Sequence, residues 1–552
     1  MSYFDKIEIL ARHRFAIHEK LKIAAPDFGH FFIHLCRTRR KTRLNPKGFL
    51  SREFTIIALD KIITVIALFP MDQIIQNLLL NLIKKNYKMD DDTATDLLEE
   101  CIRFYENENI KSLYKEMKKY KDGLLMRGQY EEVMKIIRRF MKPTYYEQKN
   151  MGEVFTPFEC IYMLLEQIPD YIWKNPNSTF FDPSAGIGGF LVVIFEKLMS
   201  SLSHVFIDPN VRKEHIIKNM LFAAELDASN VAIMRHIFGN GLHIFHGNTI
   251  TKFNSRRDFG VNNFTVVVGN PPFEKSQQKG TRKNAGDSLW PDFVDKSFSD
   301  WLAPNGFFAM LLPPGWRKPS DQQSRTKDLW KVMSRDNTVQ WIRMFDDKEA
   351  KKVFDGHVSI RFDLVVVSKQ KQNWRTVIQG TDKKIYQKNL EKLPYLPSAN
   401  LNYWVKLFSL KGPKCNVLYR RGLYGTDKHN KSVQETKDCV FKYPLINTIR
   451  KDEITYRYTD KKNEEGGFGV SKVIFNRHGA WNTPIVDLEG KYGMTQDTFA
   501  IVVDSRQEGL AIKQFFTPNR LVMWGDDLNW STSQPSIFWK LFRDIPKNFY
   551  NL

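Results

Sequence analysis

The chain is short of almost everything that would make it a secreted, metal-stapled or membrane-spanning protein. Five cysteines (Cys36, Cys101, Cys160, Cys415 and Cys439) are scattered over 552 residues. None forms a Cys-x-x-Cys or a Cys/His pair at zinc-ligand spacing, which argues for a reducing compartment and against a structural metal. Long apolar runs are missing too. The greasiest stretch, residues 54–82, is broken by Asp60, Lys61, Pro70 and Asp72, so it reads as buried helices and no membrane span is expected. Asp5 and Glu8 stand where a secretory leader would need a basic and then an apolar stretch. There is no dinucleotide fingerprint, no P-loop lysine, no internal repeat and no low-complexity segment. Acidic residues are outnumbered, 62 against 83 Lys and Arg, for a formal net charge of +21. That excess favours a polyanionic partner, nucleic acid before an anionic membrane.

What is present changes character along the chain. Residues 1–148 read as an N-terminal helical domain, with few glycines, helical spacing of apolar residues over 130–140 and a solvated charged face over 106–121. Glu116-Met117-Lys118 and Glu147-Gln148-Lys149 match the last element of a nuclease carboxylate motif. In a Lys-rich chain that pattern arises often, and no matching upstream Asp sits on a clear strand, so it carries little weight. From 149 to 375 strands alternate with Gly-rich turns and helices. Strands are expected at 180–181, 221–227, 242–250, 264–268, 306–312 and 362–367, with helices over 191–198 and 231–238. This grammar implies a doubly wound, Rossmann-like α/β sheet with ligands at the carboxyl ends of its strands. Residues 376–552 are aromatic and basic, with short alternating segments at 472–475 and 499–503, and read as a mixed, β-containing domain.

The most informative segment is Gly269-Asn270-Pro271-Pro272-Phe273, at the end of the apolar run 264–268. The amide oxygen of Asn270 and the carbonyl of Pro271 are both able to accept hydrogen bonds from an NH2 group. Pro271 and Pro272 stiffen the backbone, so those acceptors need not reorganise during a reaction. Phe273 offers a face on which a flat base stacks. Such a corner suits methylation of an exocyclic amine conjugated to a ring; the bland alternative is a Pro-rich turn closing a strand. A second candidate is Asp182-Pro183-Ser184-Ala185-Gly186-Ile187-Gly188-Gly189-Phe190, a Gly-rich loop between strand and helix. Its backbone N–H groups are free to close on a ligand.

The order of segments sharpens both. Gly152-Glu153-Val154-Phe155-Thr156-Pro157 comes first, then the Gly loop, then Glu225-Leu226-Asp227, then His246-Gly247-Asn248-Thr249, then the Asn270 corner. This succession, over roughly residues 150–370, resembles the gamma arrangement of N6-adenine DNA methyltransferases. It looks most like the modification subunits of type I restriction systems and the related type II enzymes. The resemblance implies a Rossmann-like S-adenosylmethionine-dependent methyltransferase sheet over 149–375, and a target-recognition, DNA-binding domain over 376–552. It implies S-adenosyl-L-methionine as methyl donor, held beside Phe155, Thr156 and Pro157, with Thr156 on its methionine carboxylate. Asp182, Ser184, Gly186 and Gly188 would line the methionine and ribose side, Glu225 would bind the ribose hydroxyls, and Asn248 would face the adenine of the cofactor. The family usually has Asp at the Asn248 position; the amide oxygen still accepts from an amino group, at the expected cost of weaker binding. Asp208, ending the apolar run 205–207, rivals Glu225 as ribose ligand, and either carboxylate is also a plausible helix cap. Val353-Phe354-Asp355-Gly356-His357-Val358-Ser359 resembles the segment whose aromatic residue stacks on the flipped target base, which gives Phe354 that role unless it is a core residue at a strand edge.

The expectation is therefore a site-specific DNA adenine-N6 methyltransferase of restriction-modification type, acting on an adenine swung out of duplex DNA. Asn270, Pro271, Pro272 and Phe273 would form the catalytic corner, with no metal. A specificity or nuclease subunit is a possible partner, and the helical N-terminal arm a possible clamp. The expected location is the cytoplasm of a bacterium, or a host cell or virion if the source is a large DNA virus. Base reading would fall to residues such as Arg420, Arg421, Arg477, His478, Trp481, Arg520 and Trp530. Two alternatives remain: a methyltransferase of RNA bases or of a protein amide, and a catalytically inactive DNA-binding relative, hinted at by Asn248.

Overall fold

Strands that are apolar on both faces have to be covered on both faces, and several strands of this chain, such as Phe264–Gly269 and Phe362–Ser368, are of that kind. In the computed structural model the described residues are 156–552, without 274–287, 319–325, 327, 355, 357–359, 421–422, 425–431, 451–452, 478–482 and 531–537, together with Leu80. The expected helical domain over 1–148, both Glu-x-Lys motifs and Phe155 lie outside the described residues.

Nine strands form one sheet: β1 (Phe180–Asp182), β2 (Leu221–Glu225), β3 (His243–His246), β4 (Phe264–Gly269), β5 (Leu302–Leu312), β6 (Thr338–Phe345), β7 (Phe362–Ser368), β8 (Thr376–Gln379) and β9 (Ile385–Lys388). Their order is β3-β2-β1-β4-β5-β7-β6-β8-β9. Strands β1 to β5 run parallel, β7 is antiparallel to both β5 and β6, and β8 runs parallel to β6. The expected doubly wound sheet is thus present, with two reversed strands, β7 within it and β9 at its edge. The carboxyl ends of β1, β2, β3, β4, β5, β6 and β8 all reach the same edge.

Alternation along each strand builds a separate core on each face. Phe180, Val266, Val268, Ala309 and Leu311 face α1 (Phe158–Leu165), α2 (Gly189–Ser201) and α3 (Ala228–Phe238). Phe181, Val267, Phe308, Met310 and Leu312 face the other way, against Trp290, Trp301, Trp316 and Trp330. Phe181 is central to that second layer. Its ring stacks on Phe264 at 4.4 Å and Phe253 at 5.0 Å, with Trp301 edge-on at 5.5 Å.

The sheet continues past residue 375, because the short hairpin of β8 and β9 joins it beside β6. After it come two four-stranded sheets. One contains the expected strands, here Lys472–Asn476 and Thr498–Val502; the other is built on the hairpin Tyr443–Arg450 and Glu453–Thr459. Helices Arg506–Phe515 and Pro518–Asp527 close an aromatic core with Trp404, Phe475, Trp524 and Phe542.

Several residues expected to read bases have other partners. Trp530 is buried and donates its indole N–H to the Leu396 carbonyl at 2.9 Å. The Arg520 guanidinium lies 4.0 Å over the Phe515 ring, and Arg477 lies 5.1 Å over Tyr419. Arg420 is exposed and 3.6 Å from Glu465. Arg421, His478 and Trp481 lie outside the described residues.

Removing the Phe181 ring would leave a cavity that its aromatic neighbours Phe253, Phe259, Phe264 and Trp301 are too constrained to fill. Phe181→Ala is expected to lower the unfolding free energy by about 3–5 kcal/mol in a denaturant titration. A loss under about 1 kcal/mol would show that the ring is not central to packing.

Candidate active site

The site begins with the register of two strands. Phe180 and Phe181 of β1 pair with Val266 and Val267 of β4, so Asp182 comes level with Val268, one residue before Gly269. On one side of this pair lie β2 and β3, on the other β5, so the sheet reverses its direction of growth here. Such a switch point opens a crevice at the carboxyl ends of the strands.

Backbone geometry presses the two motifs together. A Cβ on Gly269 would lie 2.8 Å from Asp182 Oδ1 and 3.7 Å from Ser184 Oγ, and Gly269 holds φ +151°. Only glycine lets the end of β4 come this close to the Asp182 carboxyl. Asn270 follows at once, half-buried, then Pro271 buried, Pro272 exposed and Phe273 half-buried. Phe273 packs against the cores of both sheet faces, and its carbonyl accepts the Leu289 N–H at 3.1 Å.

The Gly-rich loop is equally fixed. Asp182 Oδ1 accepts the Ser184 N–H at 3.0 Å, and the Ala185 N–H donates to the Ala224 carbonyl at 3.0 Å. Gly188 has φ +91°, and a Cβ there would meet Met234 and Phe238 of α3 at 3.1 and 3.2 Å. Ser184 Oγ is buried with no hydrogen-bond partner in the protein. A buried hydroxyl left this way is costly unless a ligand completes it.

Glu225, at the end of β2, gathers the remaining segments. Its Oε2 accepts the Gly186 N–H at 2.7 Å, and Oε1 accepts the N–H groups of Leu226 and Asp227 at 2.9 and 2.8 Å. Its main-chain carbonyl accepts the Gly247 N–H at 2.8 Å, and the Thr249 hydroxyl donates to the Pro183 carbonyl at 2.9 Å. Asn248 is exposed between these two ties and caps the short helix Thr249–Lys252 by accepting the Thr251 N–H at 3.1 Å.

The rival Asp208 sits elsewhere. It ends no strand, is exposed, and caps helix Pro209–His215 by accepting the Asn210 N–H at 2.7 Å. Thr156 is buried just ahead of α1, which Pro157 opens and which packs on α2. Phe354 is 7 % exposed in the core, its ring edge-on to Phe362 at 5.4 Å, so presenting a face to a base requires it to leave that packing. One residue escaped sequence reasoning: Leu226, apolar yet 66 % exposed beside Glu225. A lone leucine between two acidic residues was the available signal.

Comparison with known proteins places the chain in a family. The family described as N-6 DNA Methylase matches residues 129–414, just over half of the chain and all nine strands of the sheet. The chain belongs to the N-6 DNA methylase family. An uncharacterized adenine-specific methylase of Mycoplasma pneumoniae is 27 % identical over 241 residues, 30 % of this chain and 56 % of that protein. The type I restriction enzyme EcoEI methylase subunit of Escherichia coli is 26 % identical over 172 residues, 30 % of this chain and 33 % of that protein. The chain thus spans about half of one relative and a third of the other. Among solved structures, the type IIL restriction-modification enzyme MmeI in complex with DNA covers 82 % of this chain and 73 % of its own, at 13 % identity and a TM-score of 0.44. That likeness is too loose to add to the strand order. The strand order is that of the Rossmann-like α/β sheet expected from the sequence.

The electrostatics of this methylase site are unusual for so basic a chain. Burial pushes the Asp182 carboxyl up to about 8, with the Glu225 charge adding to the rise and the Ser184 N–H opposing it. Burial likewise pushes Glu225 up to about 7, against the hydrogen bonds from Asp227, Gly186 and Leu226. A carboxyl whose folded value lies above its unfolded value of about 3.9 costs stability once the unfolded chain ionises. That cost grows as pH rises from about 4 to about 8 and is then constant. Asp182→Asn keeps the acceptor for Ser184 and removes the titration. Its melting temperature relative to the parent chain should therefore climb by a few degrees between pH 5 and pH 8.5. A flat or falling difference would show that Asp182 is not held under strain.

Proposed function

We propose that the chain transfers a methyl group from S-adenosylmethionine to the N6 amine of an adenine flipped out of duplex DNA, as the modification activity of a restriction-modification system. The observation that carries this reading is the contact of Gly269 with Asp182, which sets an amine-gripping corner directly against a Gly-rich ligand loop.

The residues present suit the cofactor. S-adenosylmethionine supplies a methyl carbon made electrophilic by a sulfonium. Asp182 and Glu225 together form an acidic floor, fully anionic only above about pH 8, suited to its cationic groups and ribose hydroxyls. Ser184 Oγ has a hydrogen bond still to make. Leu226 offers an apolar surface for a flat ring, with Asn248 at the rim to meet a ring amine. Thr156 and Pro157, with Phe155 ahead of them, would close the methionine end.

The chain's own chemistry is then positioning. An adenine amine is a poor nucleophile because its lone pair is delocalised into the ring. Asn270 Oδ1 and the Pro271 carbonyl would accept its two N–H groups and draw the nitrogen toward tetrahedral geometry, localising that pair. Both acceptors are set beforehand, by Pro271, Pro272 and the packing of Phe273, so little reorganises during reaction. Phe273 would stack on the base; Phe354 would join it only after leaving Phe362. The amine becomes acidic after transfer, so no strong base is required. Charge brings the substrate: a net +21 favours DNA. Among the described residues no helix is long and apolar enough to cross a membrane.

Radiolabelled methyl groups offered with unmethylated duplex DNA, RNA and protein in parallel should appear on DNA alone. Asn270→Ala should reduce that transfer by about 10²–10³-fold while cofactor affinity changes little. Label on RNA or protein would reassign the acceptor, and cofactor binding with no transfer at all would mark an inactive relative.

Cofactor binding should also depend on pH with a definite sign. Protonated Asp182 and Glu225 are neutral and attract a cation less, so affinity measured by calorimetry should rise as pH increases through about 7 to 8. Affinity that falls over that range would contradict the anionic floor.

A further inference from the structure

We infer that the buried pair Arg317–Asp363 is a positioning joint that holds the C-terminal region in register with the Asn270 corner; this rests on the function proposed above. A second Pro-Pro turn, Pro313-Pro314-Gly315-Trp316-Arg317, leaves the carboxyl end of β5, the neighbour of β4. Gly269 pairs with Met310, and Leu312 pairs with Asp363 at the start of β7. Asp363 is therefore on the same edge as the corner, two strand spacings or about 10 Å away.

Every arm of the guanidinium is used. Arg317 Nε and Nη2 donate to Asp363 Oδ2 and Oδ1 at 2.7 and 3.1 Å, and the Trp316 indole donates to Oδ2 at 3.0 Å. Nη1 donates to the Leu396 carbonyl at 2.9 Å, and both Nη atoms lie 3.2 Å from Ser398 Oγ. The linker answers, its Leu396 N–H donating to the Arg317 carbonyl at 3.0 Å. The C-terminal region grips the same linker: Trp530 donates to the Leu396 carbonyl, and the Ser398 N–H donates to the Asp527 carbonyl at 2.6 Å. A cavity of ≈ 660 Å³ beside this seam is lined by Asp346 and Asp382, which follow the carboxyl ends of β6 and β8, and by Met523, Asp526 and Asp527 of the helix Pro518–Asp527, so that helix stands over the edge that holds the corner.

Arg317 and Asp363 are 2 % and 1 % exposed. Apolar residues of similar volume would stabilise the fold at least as well, so stability alone does not account for the pair. What a planar fork adds is direction, since it fixes the β5 turn, the start of β7 and the linker at once. A C-terminal region that binds DNA would then deliver the target base at a set offset from Asn270. An error of about 1 Å in that offset is enough to cost about 10²-fold in rate.

The test uses the full chain and unmethylated genomic DNA. The double variant R317M/D363L loses the acceptor of the Trp316 indole together with the pair, so it should fold with a melting temperature within a few degrees of the parent chain's and bind S-adenosylmethionine within about twofold. Its kcat for DNA methylation should fall about 10- to 100-fold, with KM for DNA much less affected. Ser398→Ala, which leaves the pair intact and removes one hydroxyl from the linker, should lower kcat a few-fold in the same pattern. If the double variant fails to fold, the Ser398→Ala kcat decides. Parental kcat in the folded variants overturns the joint and leaves the function untouched. Failure of the parent chain itself to methylate DNA while binding the cofactor would sink the functional reading, and the joint with it.

Discussion

The structure depends on the near-contact between the Asp182 carboxyl and the bare backbone of Gly269. Two parallel strands normally end side by side with their side chains filling the gap. Here the end of β4 carries none, so the carboxyl at the end of β1 occupies that place at 2.8 Å from where a Cβ would be. That single absence brings two segments, far apart in the chain, side by side. The switch in sheet direction falls at the same pair of strands, the place where sheets of this kind bind ligands.

Charge works at two ranges. Over long distance the excess of Lys and Arg is felt by any polyanion. At short range the buried acidic groups differ from that surface, with Asp182 and Glu225 held against backbone N–H groups and burial pushing their carboxyls up to about 8 and about 7. On the proposed function, a nucleic acid would be drawn to the protein while the crevice would suit a cation and hydroxyls as its carboxyls ionise. Stability given up in this way is common where a site is shaped for function.

The two halves of the described region are not joined by a simple tether. The sheet extends through β8 and β9, and the linker after it is held from one side by Arg317 and from the other by Trp530 and Asp527. A linker pinned this way transmits position rather than allowing drift. If the chain brings one base to one amide, as proposed, rigidity between reading and reacting parts would be a functional property.

By itself the sequence determined the strands with apolar residues on both faces, because an unbroken run such as 264–268 has nowhere to go but the middle of a sheet. It also determined the corner and the Gly loop, whose residues have few other uses in that order. Tertiary structure alone decided the rest. Thr338–Phe345 mixes Gln340 and Arg343 into its run and became a strand only because β7 and β8 flank it. Glu225 and Asp208 were separated by place, one ending β2 under the loop and the other capping an exposed helix. Phe354 and Trp530, aromatic and near expected sites, went to the core because burial of a large ring outweighs a surface role unless a neighbour holds it out. The adjacency of Asp182 and Gly269 lies in the parallel register of β1 and β4, a long-range pairing that no local pattern of residues encodes.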